Sequence, residues 1–178
     1  MDTPERVLAR YLKAVRVLQS KGFATGLPVP AVKEQPGYCG PAALRSVLAF
    51  YGRDVAEDEI AKLAGSDHVK GTPPDNLMQA ARKLGMVAES KENATVGDLR
   101  KWLDKGVPVI VNWWSTDDGH YSVLKAIRDG KVFMEDPEIA AERSMDLDAF
   151  ERAWFDFRGD TEQHQGLVQR LMIVVRPG

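Results

Sequence analysis

The sequence has 178 residues with a formal net charge of −2, and 44% of the residues are hydrophobic and 28% charged. This balance predicts one soluble globular domain and argues against nucleic acid or an anionic membrane as the main partner. A single cysteine excludes an internal disulfide and a zinc site built from several cysteines. Apolar runs stay below the roughly 20 residues that span a bilayer, and the first residues lack the apolar core of a secretory signal. The sequence therefore predicts no membrane insertion and a cytoplasmic location.

The chain is predicted to begin with an amphipathic helix. Apolar side chains recur at helical spacing over about the first 20 residues, with charged residues between them. Gly22 and Gly26 end this pattern, so residues 1–26 are predicted to form an N-terminal helix and a linker. Residues 27–178 are predicted to form one domain.

A second predicted helix carries Cys39 at its N-terminal tip. Pro41 suits the first turn of a helix, and Gly52 suits the residue that ends one. The residues between them form a broad apolar stripe, which predicts a buried helix. Further helices are predicted near residues 56–63, 73–84 and 95–103, with a short strand at residues 86–89.

The second half of the sequence has the character of strands. Residues 107–113 form a continuous apolar run, and residues 120–127 and 131–135 flank the hairpin signal Arg128-Asp129-Gly130. A short helix is predicted over residues 147–154 and a closing strand over residues 171–175. Helices followed by mainly antiparallel strands predict an α+β fold, in which a helical N-terminal lobe packs on a C-terminal sheet.

Three residues in this arrangement suit nucleophilic catalysis. Cys39 is predicted to lie at the positive end of the helix dipole, among backbone N–H groups without helical partners. Both features favour the reactive thiolate. His120 lies at the mouth of a predicted strand, where it can serve as a base. Asp136 closes the hairpin ahead of Pro137. Each residue alone is more often structural, so the prediction depends on their coming together.

The register of the hairpin decides whether Asp136 reaches His120. A three-residue loop, Arg128-Asp129-Gly130, places Asp136 opposite Ser122, diagonal to His120 on the same strand face. A two-residue loop of Asp129 and Gly130 places Asp136 on the opposite face. A Cys-His-Asp triad thus requires the longer loop or another bulge in the hairpin.

The sequence resembles a known enzyme family at residues 38–44 (YCGPAAL), 119–124 (GHYSVL) and 135–137 (EDP). These motifs are similar to those of papain-like cysteine peptidases that process bacteriocin leaders, the peptidase C39-like type, and the similarity covers residues 28–176. The resemblance implies a papain-like fold with Cys39 as nucleophile, His120 as base and Asp136 as the residue that orients the base. It also implies that the backbone N–H of Cys39 forms half of an oxyanion hole.

The other half of the oxyanion hole departs from the family pattern. The resemblance implies a glutamine six residues before the cysteine, but that position holds Lys33. Gln35, four residues before Cys39, is the predicted replacement. The alternatives are that Lys33 supplies a charged donor, or that the hole is incomplete and catalysis weak.

The sequence thus predicts a thiol peptidase that acts on a peptide or protein substrate. Two alternatives stay open: a papain-like module that binds a peptide with little or no catalysis, and a papain-like amide acyltransferase. The approach to Cys39, Pro36-Gly37-Tyr38, is also similar to that of phytochelatin synthases. No cofactor and no metal are predicted, and the sequence gives no basis for predicting an oligomeric state.

Overall fold

The computed structural model describes residues 26–116, 118–158 and 166–178. Within these ranges the helices are α1 (Cys39–Phe50), α2 (Glu57–Ala64), α3 (Pro74–Lys83), α4 (Val96–Leu103) and α5 (Leu147–Ala153). The strands are β1 (Val87–Lys91), β2 (Val109–Trp114), β3 (Gly119–Arg128), β4 (Lys131–Asp136), β5 (Ala141–Asp146), β6 (Phe155–Phe157), β7 (Leu167–Gln169) and β8 (Met172–Arg176). The helix predicted over the first residues lies outside the described residues, and the domain boundary at residue 26 stays a prediction. None of the described helices has the length and apolar character needed to cross a membrane.

Six strands form one antiparallel sheet in the order β1-β8-β2-β3-β4-β5. Alternate strand residues contribute to two separate hydrophobic clusters, as Ile110 and Val109 of β2 do, so both faces of the sheet are covered. Helices α1, α2 and α3 cover one face, and α4 and α5 cover the other. The predicted α+β fold, a helical lobe packed on an antiparallel sheet, is confirmed.

The local signals for the helices act as the sequence predicts. Helix α1 begins at Cys39 and is almost entirely buried. Helix α4 begins with a capping box, in which Thr95 Oγ1 accepts from the Asp98 N–H (3.1 Å) and Asp98 Oδ2 accepts from the Thr95 N–H (2.8 Å). Strands β5, β6 and β7 were not predicted. Strand β5 (AERSMD) is a largely exposed edge strand with few strand-forming residues, and β6 and β7 span only three residues each.

The turn between β3 and β4 is shorter than the three-residue loop predicted. Arg128 pairs with Lys131, so only Asp129 and Gly130 remain in the turn. Their φ angles are 51° and 71°, as a type I′ turn requires, and this turn matches the twist of a hairpin. The predicted three-residue loop is therefore wrong, because Arg128 belongs to the ladder.

A β-bulge at Lys125 restores the alignment that the triad needs. The pairing of β3 with β4 shifts by one residue between Leu124 and Ala126. Beyond the shift Val123 pairs with Glu135, so the following residues, Ser122 and Asp136, lie opposite each other. This places Asp136 on the same face of the sheet as His120. A bulge in the hairpin, and not a longer loop, therefore gives the register that the predicted triad requires.

The side chain of Lys125 is buried between two glutamates, of which Glu135 is buried and Glu142 is exposed. Its Nζ lies 2.6 Å from Glu135 Oε1 and 2.7 Å from Glu142 Oε2. Glu135 and Glu142 face each other across β4 and β5, where two carboxylates repel unless a cation lies between them. The bulge residue Lys125 therefore offsets the repulsion between the two glutamates.

We expect Lys125→Met to lower the free energy of unfolding by about 3 kcal/mol, because it leaves two facing carboxylates without their cation. Urea unfolding at neutral pH measures this loss. The control is Lys131→Met, since the pair of Lys131 with Asp146 is largely exposed and should contribute less than about 1 kcal/mol. Equal losses of unfolding free energy in the two variants would contradict a stabilising role for Lys125 between the two glutamates.

Candidate active site

Cys39 is the first residue of α1 and is partly exposed, whereas the residues that follow it in the helix are mostly buried. The first N–H groups of a helix have no carbonyl partner one turn earlier, and they lie at the positive end of the helix dipole. The sequence pattern therefore places the only thiol of the chain where it can react.

The loop before Cys39 is held against a neighbouring turn. Gly37 has a φ of +79°, and a Cβ there would lie 2.2 Å from the carbonyl oxygen of His68. The ring of Tyr38 stacks on the ring of His68, with centroids 4.1 Å apart. The Nδ1 of His68 also hydrogen-bonds the carbonyl oxygen of Pro36 (2.7 Å). These contacts fix the chain that leads into Cys39.

His120 lies on β3 between Cys39 and Asp136. Its Nε2 hydrogen-bonds Asp136 Oδ1 at 2.6 Å, and a ring nitrogen lies within 4.8 Å of the Cys39 sulfur. Since Asp136 takes Nε2, Nδ1 is the ring nitrogen that remains for the sulfur. Burial alone lowers the pKa of His120, but the hydrogen bond with Asp136 and the nearby sulfur of Cys39 outweigh it and raise the pKa to about 10. The structure thus brings together the three residues that the sequence singles out.

Asp136 is almost completely buried and accepts three hydrogen bonds. Its Oδ1 accepts from His120 and from the backbone N–H of Glu138 (2.9 Å), and its Oδ2 accepts from Nε of Arg143. Burial raises the pKa of a carboxyl, but the hydrogen bonds from His120 and Arg143 hold the pKa of Asp136 below its ordinary value. Asp136 is therefore a carboxylate whose position is fixed on both oxygens.

Sequence reasoning missed Arg143, a residue on β5 whose guanidinium forms an ion pair with Asp136. Its guanidinium also lies 3.2 Å from Glu138 and 5.8 Å from the ring centre of Trp113. The Trp113 ring meets His120 edge to face, with centroids 5.8 Å apart. Because β5 itself was not predicted, no sequence signal placed Arg143 beside the hairpin.

The structure does not bring Gln35 to the Cys39–His120 pair. The Gln35 amide donates to Asp58 Oδ1 at 2.7 Å, and the Gln35 backbone N–H donates to Glu57 (3.1 Å), so the residue is bound to helix α2. Lys33 is exposed and donates to the carbonyl oxygen of Glu138. The oxyanion role of Gln35 stays a prediction that this geometry does not support.

Glu34 lies at the site instead, and the sequence did not single it out. A carboxylate oxygen of Glu34, the sulfur of Cys39 and a ring nitrogen of His120 all lie within 4.8 Å of one another. The Glu34 N–H donates to the carbonyl oxygen of Pro137 (3.1 Å), which holds this residue beside Asp136. Burial raises the pKa of Glu34 above its ordinary value, although the charge of His120 opposes the effect.

Two sets of side chains among the described residues are close enough to share a metal ion. One is Glu34, Cys39 and His120, and the other is His120, Asp136 and Glu138. His120 is common to both sets, and its ring is hydrogen-bonded to Asp136, which also accepts from the Glu138 N–H and from Arg143. These hydrogen bonds explain the arrangement without an ion, so we assign no metal to either set.

The fold is shared by several solved peptidase domains. The peptidase domain of Streptococcus ComA, a bi-functional ABC transporter involved in quorum sensing, is 22% identical with a TM-score of 0.68, over 84% of this chain and 99% of that one. A double glycine motif protease from an AMS/PCAT transporter, solved with its leader peptide, is 22% identical with a TM-score of 0.64, over 86% and 94%. A putative C39-like peptidase from Bacillus anthracis is 17% identical with a TM-score of 0.63, over 85% and 96%.

Two archaeal proteins are more similar in sequence. One from Methanothermobacter marburgensis is 35% identical over 107 residues, which is 60% of this chain and 70% of that protein. One from Methanothermobacter thermautotrophicus is 36% identical over 101 residues, or 57% and 66%. Both are described only as uncharacterized proteins. The model of the Peptidase C39 family matches residues 30–157, a span that includes Cys39, His120 and Asp136. The chain belongs to the peptidase C39 family.

Proposed function

We propose that the protein is a cysteine peptidase in which Cys39 attacks a peptide carbonyl. The observation that carries this proposal is the His120 imidazole, hydrogen-bonded to Asp136 at 2.6 Å and within 4.8 Å of the Cys39 sulfur. An imidazole held by a buried carboxylate with a thiol beside its ring suits the transfer of a proton between thiol and substrate. Membership of the peptidase C39 family supports the same reaction.

The reaction runs in two steps. The thiol proton passes to His120 before the attack, because the raised pKa of His120 favours the imidazolium. The sulfur of Cys39 then adds to the peptide carbonyl carbon, which forms a C–S bond and turns the C=O into the C–O⁻ of a tetrahedral intermediate. When the C–N bond breaks, the imidazolium of His120 protonates the leaving amine, and an acyl-thioester remains on Cys39. Water then attacks the thioester with His120 as general base, which releases the carboxylic acid and the free thiol. Asp136 keeps the imidazole oriented and stabilises its cationic form.

The substrate is proposed to be a peptide or protein bound in an extended conformation between the helical lobe and the sheet. The solved double glycine motif protease holds a leader peptide, which supports peptide binding by this fold. Processing of a leader or other small peptide is therefore the specific form of the proposal. The cytoplasmic location stays a prediction.

A binding module with little catalysis is the second candidate. The amide of Gln35 is bonded to Asp58 and the amine of Lys33 to a backbone carbonyl, so neither provides the donor that the family pattern implies. Loss of one such donor lowers the rate by on the order of a hundredfold or more in other enzymes. A papain-like acyltransferase is the third candidate, because the same thioester can pass its acyl group to an amine.

We expect the protein to cleave peptides in a defined library, with new termini detected by mass spectrometry. Cys39→Ser, which removes the thiol, should give no cleavage. Added glycinamide separates the two reactions, because a peptidase yields mainly free carboxylic acids and an acyltransferase yields mainly glycinamide adducts. Peptide binding without cleavage, equal for the intact protein and Cys39→Ser, would instead favour the binding module.

We expect Asp136→Asn to lower the pKa of His120 from about 10 toward ~6.5, the ordinary value, because a neutral amide stabilises the imidazolium less than a carboxylate does. The imidazole signals of His120 in NMR spectra recorded across pH measure this change. The control is Asp146→Asn, which neutralises an exposed aspartate paired with Lys131 and should leave the pKa of His120 unaltered. An unchanged pKa of His120 in Asp136→Asn would contradict the orienting role of Asp136.

A further inference from the structure

The carboxyl group of Glu34 lies at the candidate active site, and one of its two oxygens has no hydrogen-bond partner among the described residues. Its Oε2 atom is buried and makes no hydrogen bond with any residue that the structure describes. The backbone of Glu34 is fixed by Pro137, and one of its carboxylate oxygens lies within 4.8 Å of both the Cys39 sulfur and a nitrogen of His120. A buried polar atom that lacks a partner is costly, so a site that keeps one calls for an explanation in function.

The charges that face Glu34 come from every neighbouring element. His120 on β3 and Lys33 in the same loop favour the carboxylate, whereas Asp136 and Glu138 at the end of β4 disfavour it. Arg143 on β5 is engaged with Asp136 and Glu138, and Lys33 donates to a backbone carbonyl. A thiolate on Cys39 would add a further negative charge close by. Burial is the largest influence and favours the neutral acid, whose O–H is a hydrogen-bond donor.

We propose that Glu34, as a neutral carboxylic acid, donates the second hydrogen bond of the oxyanion hole. This inference rests on the proposed thiol chemistry of Cys39. When the sulfur adds to a carbonyl, the C=O becomes a C–O⁻, and the O–H of Glu34 donates to that oxygen beside the N–H of Cys39. When the leaving group departs, the C=O re-forms and the proton stays on Glu34. The residue thus takes the place that the family pattern gives to a glutamine.

A carboxyl donor differs from a glutamine in that pH can switch it off. Once Glu34 ionises, it has no proton to donate, and its negative charge lies beside the forming oxyanion. The oxyanion hole is therefore complete below the pKa of Glu34 and incomplete above it. The protein is expected to be an enzyme that is more effective at acid pH, with an amide at position 34 removing this limit.

Two reagents separate the oxyanion hole from the nucleophile. Acetylation of Cys39 by p-nitrophenyl acetate forms a C–S bond through a tetrahedral oxyanion and releases p-nitrophenolate. Alkylation by iodoacetamide displaces iodide from a saturated carbon and forms no oxyanion. Lysine amines also accept acetyl groups, so the acetylation rate of Cys39 is the part that Cys39→Ala lacks. The ratio of the two second-order rate constants of Cys39, compared across pH among variants of residue 34, therefore reports changes in the oxyanion hole.

In the intact protein, this ratio should fall as pH rises through the pKa of Glu34, toward the value of Glu34→Ala. Glu34→Gln should show a high ratio that does not fall with pH, since its amide is a donor at every pH. Glu34→Ala should lie on the order of a hundredfold below Glu34→Gln at every pH. Asp58→Asn, a matched change at the carboxylate that binds Gln35, should follow the intact protein.

Three results would overturn the proposal for Glu34. If the ratio in Glu34→Gln matches the intact protein at every pH, Glu34 does not contact the oxyanion. If Gln35→Ala lowers the ratio and Glu34→Ala does not, Gln35 is the donor. If iodoacetamide reacts with Cys39 only as with an ordinary thiol, the proposed function fails first, and the proposal for Glu34 fails with it.

Discussion

The hydrogen bond between His120 Nε2 and Asp136 Oδ1 is the interaction on which the rest of the site depends. Both side chains are buried, and a buried imidazolium or carboxylate is unstable unless it has a partner of opposite charge. The 2.6 Å contact provides that partner, and Arg143 adds a second cation on the far side of Asp136. The result is an imidazole that keeps its proton to high pH and holds one nitrogen toward Cys39.

This contact exists because of how the hairpin is built. The turn of Asp129 and Gly130 alone would direct Asp136 to the wrong face of β4, and the bulge at Lys125 corrects the register. The bulge in turn places Lys125 between two glutamates of neighbouring strands. One extra residue in β3 therefore gives both the register of the candidate active site and the position of Lys125 between the two glutamates.

Much of this arrangement could be predicted from the sequence. Proline and glycine at the ends of α1 identify the helix that starts with Cys39, and the turn signal Arg128-Asp129-Gly130 identifies the hairpin that joins His120 to Asp136. The position of the bulge could not be predicted, because it depends on pairing between strands rather than on local sequence. Arg143 was missed for a similar reason, since its strand is an exposed edge with little hydrophobic pattern.

The loop before Cys39 is where sequence reasoning was least informative. Lys33, Glu34 and Gln35 follow one another, and small changes in loop path decide which of them turns toward the sulfur. A glutamine was the chemically expected choice, yet its amide is held by helix α2, and the glutamate beside it faces the site. The fold of the peptidase C39 family is thus retained, while the side chain that lies beside Cys39 and His120 is a glutamate.

Cys39 and His120 are expected to form an activated pair, and the rate of Cys39 alkylation by iodoacetamide across pH measures whether they do. In the intact protein we expect fast alkylation well below pH ~8.5, the usual pKa of a free thiol. In His120→Ala we expect that reactivity at low pH to be lost, because the imidazolium no longer stabilises the thiolate. Alkylation that follows an ordinary thiol in the intact protein, or that His120→Ala leaves unchanged, would contradict the claim and favour a peptide-binding module.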